Sequence, residues 1–532
     1  MNKAADDTGK IARSAGTVSF AVMCSRVLGL VREQAFAILF GAGFAYDAFV
    51  FAFRIPNMLR DLFGEGALSA AFVAVFTDYD TTRGERETWE LANNVLSFFL
   101  VLLSIVTIAG ILNADYIVRF MAAREGFENV PGKIELTHLL TVIMFPFLIM
   151  VSLSSVFMGI LNTKGRFFVP AMASSFFNIG SLAGGVSLAL VMRHFNQPGI
   201  VGMAVGTLIG GFLQLVWQVP ALHKLGFRRR FLIDLKSPGL RRILKLMVPA
   251  LVGLAPLQIN VLVNTYFASS LAEGSISWLN YAFRIFWLPV GLFGVAMSVA
   301  AMPVISRYAA LKDMENLKTT YSSSQVMAFC LTIPASVGLL VLAEPLIRVI
   351  FEYGRFDSYS TMKTAEALRY YALGLFAYSS VKIMVPVFYA LDDTKYPVMG
   401  SFLAMASNVL IILATLEQLQ HKALAFSISG AMTLNFIFLA VALYHKVQGY
   451  SIAYLLSGLG KVLAASGFMW LWLWFLERSL FSGLDTGPVA QIIYLVISIA
   501  SSACIYGGLL YVFKVRELTV IVEKIGSRLK SR

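Results

Sequence analysis

Apolar runs of about 20 residues, the length a helix needs to cross a bilayer, follow one another along nearly the whole chain. Short polar connections separate them. The pattern predicts fourteen helices, over 14–40, 44–79, 92–114, 137–162, 167–192, 199–222, 243–268, 276–305, 320–343, 362–390, 396–416, 423–445, 452–476 and 488–513. The first two are long. Proline removes a backbone donor and glycine weakens a helix, so the second should break near Pro56 or near Gly64 and Gly66. The fold class is therefore all-α and polytopic in a membrane.

One stretch departs from this pattern. Ser25–Tyr79 has a membrane-like apolar background yet carries Arg26, Arg32, Glu33, Asp47, Arg54, Arg60, Asp61 and Glu65. An ionised group near the bilayer centre costs at least about 2.5–3.5 kcal/mol. These charges must therefore face water, a partner or a charged ligand inside a helical bundle. Seven residues turn a helix through nearly two full turns. That spacing puts Arg26 and Glu33 on one stripe, and Asp47, Arg54 and Asp61 on another if their helix is continuous. Each residue can be read as half of an internal ion pair or as a ligand contact. For the whole set the second reading is favoured, because nearby carboxylates do not fully match the arginines.

Composition agrees with a membrane protein. The 532 residues are 58% hydrophobic and 14% charged, against roughly a quarter charged in soluble domains. The first apolar run is interrupted by Arg26, Arg32 and Glu33 and is followed by many more, which argues against a cleavable signal. A net charge of +13 could suit nucleic acid. With both termini in the cytoplasm, however, most Lys and Arg residues fall on the inner side. They include Lys224, Arg228, Arg229, Arg230, Lys236, Arg241, Arg242 and Lys245 between the sixth and seventh helices. The C-terminal tail adds Lys514, Arg516, Lys524, Arg528, Lys530 and Arg532. This is the positive-inside pattern. No nucleic-acid role is needed, and such clusters suit anionic lipid heads. Cys24, Cys330 and Cys504 are isolated and the five histidines are scattered, so neither a disulfide framework nor a zinc site is indicated.

The chain also repeats itself. Ala52-Phe53-Arg54-Ile55 returns as Ala282-Phe283-Arg284-Ile285, Thr163-Lys164 as Thr394-Lys395, and Ala171-Met172-Ala173-Ser174 as Ala404-Met405-Ala406-Ser407, in order and at a nearly constant offset. This argues for duplication of a six-helix unit. An even helix count makes the copies parallel. The predicted organisation is an N-terminal lobe over 1–222, a basic cytoplasmic connection over 223–242, a C-terminal lobe over 243–450, and two further helices with a basic tail over 451–532. Repeats of this kind place a substrate site at their interface and allow alternating access. Basic residues within spans are Arg26, Arg32, Arg54, Arg60, Arg284, Arg369, Lys382 and Lys461. Lys461 reads as snorkelling to the interface, and Arg369 divides between snorkelling and function. Lys382 lies deep in its helix and must find water or an anion. A cavity lined by cations from both lobes suits a phosphate or diphosphate, which arginine grips with a two-pronged fork and lysine with a point charge. Asp392-Asp393 could hold a metal, but a polar turn is the favoured reading. There is no P-loop or nucleophile elbow, so a transporter is expected rather than an enzyme.

Several motifs carry a family resemblance. SRVLGLVR over Ser25–Arg32, FGAGFAYDAF over Phe40–Phe49, RIPNMLR over Arg54–Arg60 and EGALSAAF over Glu65–Phe72 resemble the start of the MurJ (MviN) family of lipid II flippases, within the MOP exporter superfamily. SWLNYAFR from Ser277, LPVGLFGVA from Leu288 and VKIMVPVFYALDDTKYPV from Val381 extend the likeness over roughly 15–450. The resemblance implies two six-helix lobes, with two extra helices forming a groove for a lipid tail. It also implies movement of lipid II, an undecaprenyl diphosphate bearing the peptidoglycan building block, from the inner to the outer leaflet of a bacterial inner membrane. On this basis Arg26, Arg32, Arg60 and Arg284 match the family's cavity arginines, Glu33 their acidic neighbour, and Asp47, Asn57, Ser277 and Lys382 further lining positions. Phe283 stands where relatives often carry Asp, which leaves Arg284 without that nearby carboxylate. Relatives that bind sodium use an acidic residue in the seventh helix, where this chain has Asn264; no cofactor is expected, and sodium is left open. The expected partners are lipid II, membrane lipids and, less directly, proteins of cell-wall synthesis. A related exporter of drugs or other lipid-linked oligosaccharides is the first alternative. A polyprenyl-diphosphate enzyme and a non-transporting scaffold follow it.

Overall fold

The computed structural model describes residues 2–481 and 487–517. Ser482 and the tail residues Lys524, Arg528, Lys530 and Arg532 lie outside these, as does the Glu65 side chain. The chain divides into two compact units, Met1–Ser277 and Trp278–Arg532.

The first unit opens with α1 (Asn2–Phe40) and α2 (Phe44–Arg60). Gly41, at φ 68°, makes the turn between them. Pro56 sits inside α2 without ending it. The winding changes instead at a π-helical turn over Asp61–Gly66, after which α3 (Ala67–Thr82) continues. Backbone crowding explains the position: a Cβ on Gly66 would lie 2.4 Å from the Asp61 carbonyl oxygen and 2.6 Å from Leu254. The stripe expected for Asp47, Arg54 and Asp61 is therefore interrupted before Asp61.

After α4 (Glu85–Leu112) comes the short α5 (Ala114–Met121), too brief to register as an apolar run. The predicted fourth helix is divided at Phe145-Pro146 into α6 (Lys133–Met144) and α7 (Phe147–Thr163). Then follow α8 (Phe168–His194), α9 (Gly199–Val216), α10 (Val219–Lys224) and α11 (Pro238–Ser269). Phe72, Phe76, Phe99, Leu148, Ile160, Leu240 and Ile243 build a core shared by α3, α4, α7 and α11. Helices α8 and α9 pack backbone to backbone: a Cβ on Gly206 would lie 2.3 Å from the Gly185 Cα. Small residues permit this approach, which is how helices gain contact in lipid.

Helix α12 (Ser275–Pro289) begins at the end of the first unit and continues into the second. A further π-helical turn over Val290–Val295 leads to α13 (Ala296–Ala310). The unit proceeds through α14 (Met314–Val341), α15 (Ala343–Phe351), α16 (Ser358–Ala372), α17 (Leu375–Ala390), α18 (Lys395–Leu419), α19 (His421–Lys446), α20 (Ile452–Leu476) and α21 (Pro488–Val512). The predicted tenth helix is the pair α16 and α17, bent by 45°. Among the described residues, 11 helices are long and apolar enough to cross a membrane, or up to 12 with the bent pair. Neither α1 nor the α2–α3 run, which carry the charges of Ser25–Tyr79, is among them.

Candidate functional site

The charged stretch forms two connected clusters in the first unit. Arg32 and Glu33, adjacent on α1, are both buried, and Arg32 Nη2 lies 2.9 Å from Glu33 Oε1. The other Glu33 oxygen accepts from the Tyr46 hydroxyl. The Arg32 guanidinium sits 5.1 Å from the Phe177 ring centroid. Its Nε is buried and has no hydrogen-bond acceptor among the described residues. The shared stripe of Arg26 and Glu33 does not make them a pair: Glu33 takes its immediate neighbour, and Arg26 is half-buried.

The second cluster centres on Asp47, the residue after Tyr46. It is 1% exposed and forms a salt bridge with Lys133 at 3.0 Å, the ammonium donating to Oδ2. Oδ2 also accepts from the Gly274 backbone N–H at 2.8 Å. Oδ1 accepts from the Ser277 N–H at 2.9 Å and its hydroxyl at 2.6 Å. Asp47 thus caps the start of α12 from another helix, satisfying donors that a helix N-terminus leaves open. Asp47 and Ser277, both expected to line a cavity, are buried against each other. Lys133 escaped the sequence reading, which began its helix at 137. The available signal was a lone cation between the Pro131-Gly132 turn and an apolar run.

Farther along α2, Arg54 and Asn57 are half-buried. Arg54 is engaged within the protein. Arg60 meets its neighbour Asp61 through Nη2 at 2.7 Å and Nε at 3.2 Å, where the π-turn begins.

In the second unit, Arg284 and Lys382 are both exposed. The Lys382 ammonium lies 5.9 Å from Trp287 and 5.8 Å from Tyr378. Trp287 is three residues after Arg284 on α12, and residues so spaced share a helix face. The two cations therefore belong to one neighbourhood of this unit. Arg284 is engaged within the protein. Arg369 donates to the Leu340 carbonyl at 3.3 Å, and Lys461 to the Lys514 carbonyl at 3.5 Å.

Asp393 accepts from the Lys395 N–H at 3.1 Å and from Lys446 at 2.5 Å, closing a turn in which Asp392 adopts φ 54°. The Lys446 hydrogen bond holds its carboxyl below the usual range. Asn264 donates to Asn260, one turn earlier, at 2.7 and 3.1 Å. Among the described residues no three His, Cys, Asp or Glu side chains converge as a metal site would need.

Long apolar helices together with buried, paired charges define a polytopic membrane protein. Comparison with known proteins narrows the class. The sequence profile described as "Lipid II flippase MurJ" matches residues 36–517. That match reaches into the last two helices, beyond the limit of the motif likeness. A probable lipid II flippase MurJ of Bdellovibrio bacteriovorus is 33% identical over 518 residues, 97% of each chain. The lipid II flippase MurJ of Burkholderia cenocepacia is 31% identical over 505 residues, covering 93% of this chain and 96% of its own. Among solved structures, a lipid II flippase MurJ in an inward closed conformation superposes with a TM-score of 0.75 at 26% identity, covering 93% of this chain and 99% of that one. A multidrug resistance MATE family transporter of the MOP superfamily, inward-facing, shares the fold at a TM-score of 0.60 and 16% identity, with 79% and 98% covered. The chain belongs to the lipid II flippase MurJ family, and it is a lipid transporter, not an enzyme.

Proposed function

We propose that the protein moves lipid II from the cytoplasmic to the periplasmic leaflet of a bacterial inner membrane, and that cationic side chains bind its diphosphate. In this reading fourteen spans are arranged as two parallel six-helix lobes, 1–222 and 243–450, joined by the basic connection 223–242. The segment 451–532 adds two helices and a tail, and both termini are cytoplasmic. Arg26, Arg32, Arg54 and Arg60 serve the diphosphate from the first unit, and Arg284 and Lys382 from the second. Glu33, Asp47, Asn57 and Ser277 orient or release them during alternating access.

One observation carries the binding reading. Arg32 is 9% exposed, yet its Nε has no acceptor among the described residues. A buried donor without a partner costs about 1–3 kcal/mol, and a diphosphate oxygen would satisfy it. Purified protein in vesicles should move labelled lipid II and not a neutral lipid. Arg32→Ala and Arg284→Ala should each abolish that movement while folded protein remains. The corresponding Lys variants should keep partial activity, because charge survives but the planar fork does not. Normal lipid II binding together with a large loss of thermal stability in the Ala variants would defeat the proposal. Transport of drugs in place of lipid II would favour the related-exporter reading.

A further inference from the structure

The connection between α10 and α11 is held down along its length. Asn93 on α4 accepts from the Arg230 N–H at 2.7 Å and donates to the Arg228 carbonyl at 3.1 Å. Asn94 treats Asp234 the same way, at 2.8 and 2.9 Å. The Ser97 hydroxyl oxygen accepts from the Leu232 N–H at 3.0 Å and from Arg229 Nη1 at 3.2 Å. Three polar residues of one helix thus strap an extended segment most of whose side chains are exposed. Phe231, Ile233 and Leu235 are 69%, 42% and 59% exposed, beside exposed Arg228, Arg230 and Lys236. Large apolar and basic side chains displayed together are the composition of a membrane-interface surface.

At the start of the strap, where Phe227 and Arg229 line it, lies a cavity of about 330 Å³. Leu96, Leu100, Phe157, Val216 and Phe227 are among its lining residues, and the wall is apolar apart from Arg229 and His223. Arg229 is itself exposed, and partial desolvation lowers its pKa from its ordinary value. An anion against the guanidinium would offset that loss of solvation.

We propose that strap and cavity form a site for one anionic phospholipid, with an acyl chain in the cavity and the headgroup phosphate on Arg229. The exposed apolar side chains of the strap then lie at the level of the lipid heads. The apolar wall selects a lipid over a free phosphate, and the arginine selects an anionic lipid over a zwitterionic one. The site is separate from the residues assigned to lipid II, and the inference does not depend on that assignment.

The test uses the full-length protein in neutral detergent, titrated separately with phosphatidylglycerol, phosphatidylcholine and inorganic phosphate. Native mass spectrometry counts retained lipid, and thermal unfolding reports stabilisation. One phosphatidylglycerol should be retained in preference to phosphatidylcholine, and phosphate alone should not stabilise. Arg229→Ala should reduce retention by about tenfold or more, the loss expected for a charge-assisted hydrogen bond. Val216→Trp fills the cavity from a wall residue outside the strap, and should do the same. Arg86→Ala, which removes an exposed charge of α4 outside both strap and cavity, should leave retention unchanged. Equal retention of phosphatidylcholine, equal stabilisation by phosphate, retention that survives either Arg229→Ala or Val216→Trp, or an equal loss in Arg86→Ala would overturn the proposal.

Discussion

Asp47 is the residue where charge, burial and geometry meet most closely. Its two oxygens take four donors, three of them from the Gly274–Ser277 turn and one from Lys133. A buried pair broken on one side leaves the other charge uncompensated, at a cost of about 3–5 kcal/mol. Asp47→Asn should therefore lower thermal stability by that order, and Asp47→Asn combined with Lys133→Met should recover part of it. A double variant no more stable than the single would show that the Lys133 charge is not what makes the loss large. At the α17–α18 turn the expectation concerns pH. Lys446 depresses the Asp393 carboxyl from its ordinary 3.8. This tie is fully present above that pH and is lost as pH falls through the depressed value. Lys446→Met should return the titration of Asp393, followed by carboxyl NMR on labelled aspartate, towards 3.8. An unmoved titration would assign the shift to the backbone donors instead.

At the scale of elements, two of the four π-helical turns among the described residues stand out, since such turns are rare and gather at functional sites. They occur at Asp61–Gly66 and Val290–Val295, each shortly after one copy of the Ala-Phe-Arg-Ile motif. Gly64 and Gly294 hold matching places after those arginines, and each faces serine. A Cβ on Gly64 would lie 3.2 Å from Ser152 Oγ, and one on Gly294 2.9 Å from Ser379. Gly66 is tighter still, because its obstacle is the Asp61 backbone. Gly66→Ala should cost about 1–3 kcal/mol, as overpacking does, and Gly64→Ala less, since a hydroxyl can rotate away. Thermal unfolding of the two variants decides this, and equal losses would mean that the turn does not depend on Gly66.

For the whole molecule, the unequal distribution of Lys and Arg predicts orientation. Arg229→Cys and Asn196→Cys, in the connections on either side of the predicted sixth helix, should react with a membrane-impermeant thiol reagent from opposite sides. Arg229→Cys should be reached only from the cytoplasm. Labelling of both from one side would remove the basis for cytoplasmic termini. The same asymmetry bears on the phospholipid site, because Arg229 belongs to the basic connection and would face the leaflet on that side.

The helical, membrane-crossing character of this protein was legible in the sequence because apolar length is a local property: α20 begins and ends where its apolar run does. The family was legible too, because its motifs are contiguous strings. The choice of partners was not. Glu33 lies on the stripe of Arg26 but pairs with Arg32, and its second oxygen takes Tyr46 from the next helix. Asp47 finds Lys133, and Ser277 closes on it across more than two hundred residues of chain. Helical periodicity says which residues share a face of one helix, but it says nothing about which face of which other helix arrives there. Pro56 illustrates the same limit: the strongest local breaker in the second helix leaves it intact, and the winding changes where Gly66 meets the Asp61 backbone and Leu254. The sequence by itself determined the helical, membrane-crossing character and the charges that must be compensated. The tertiary structure alone decided how each described charge is compensated, because a buried ion's cost depends on the atoms packed around it.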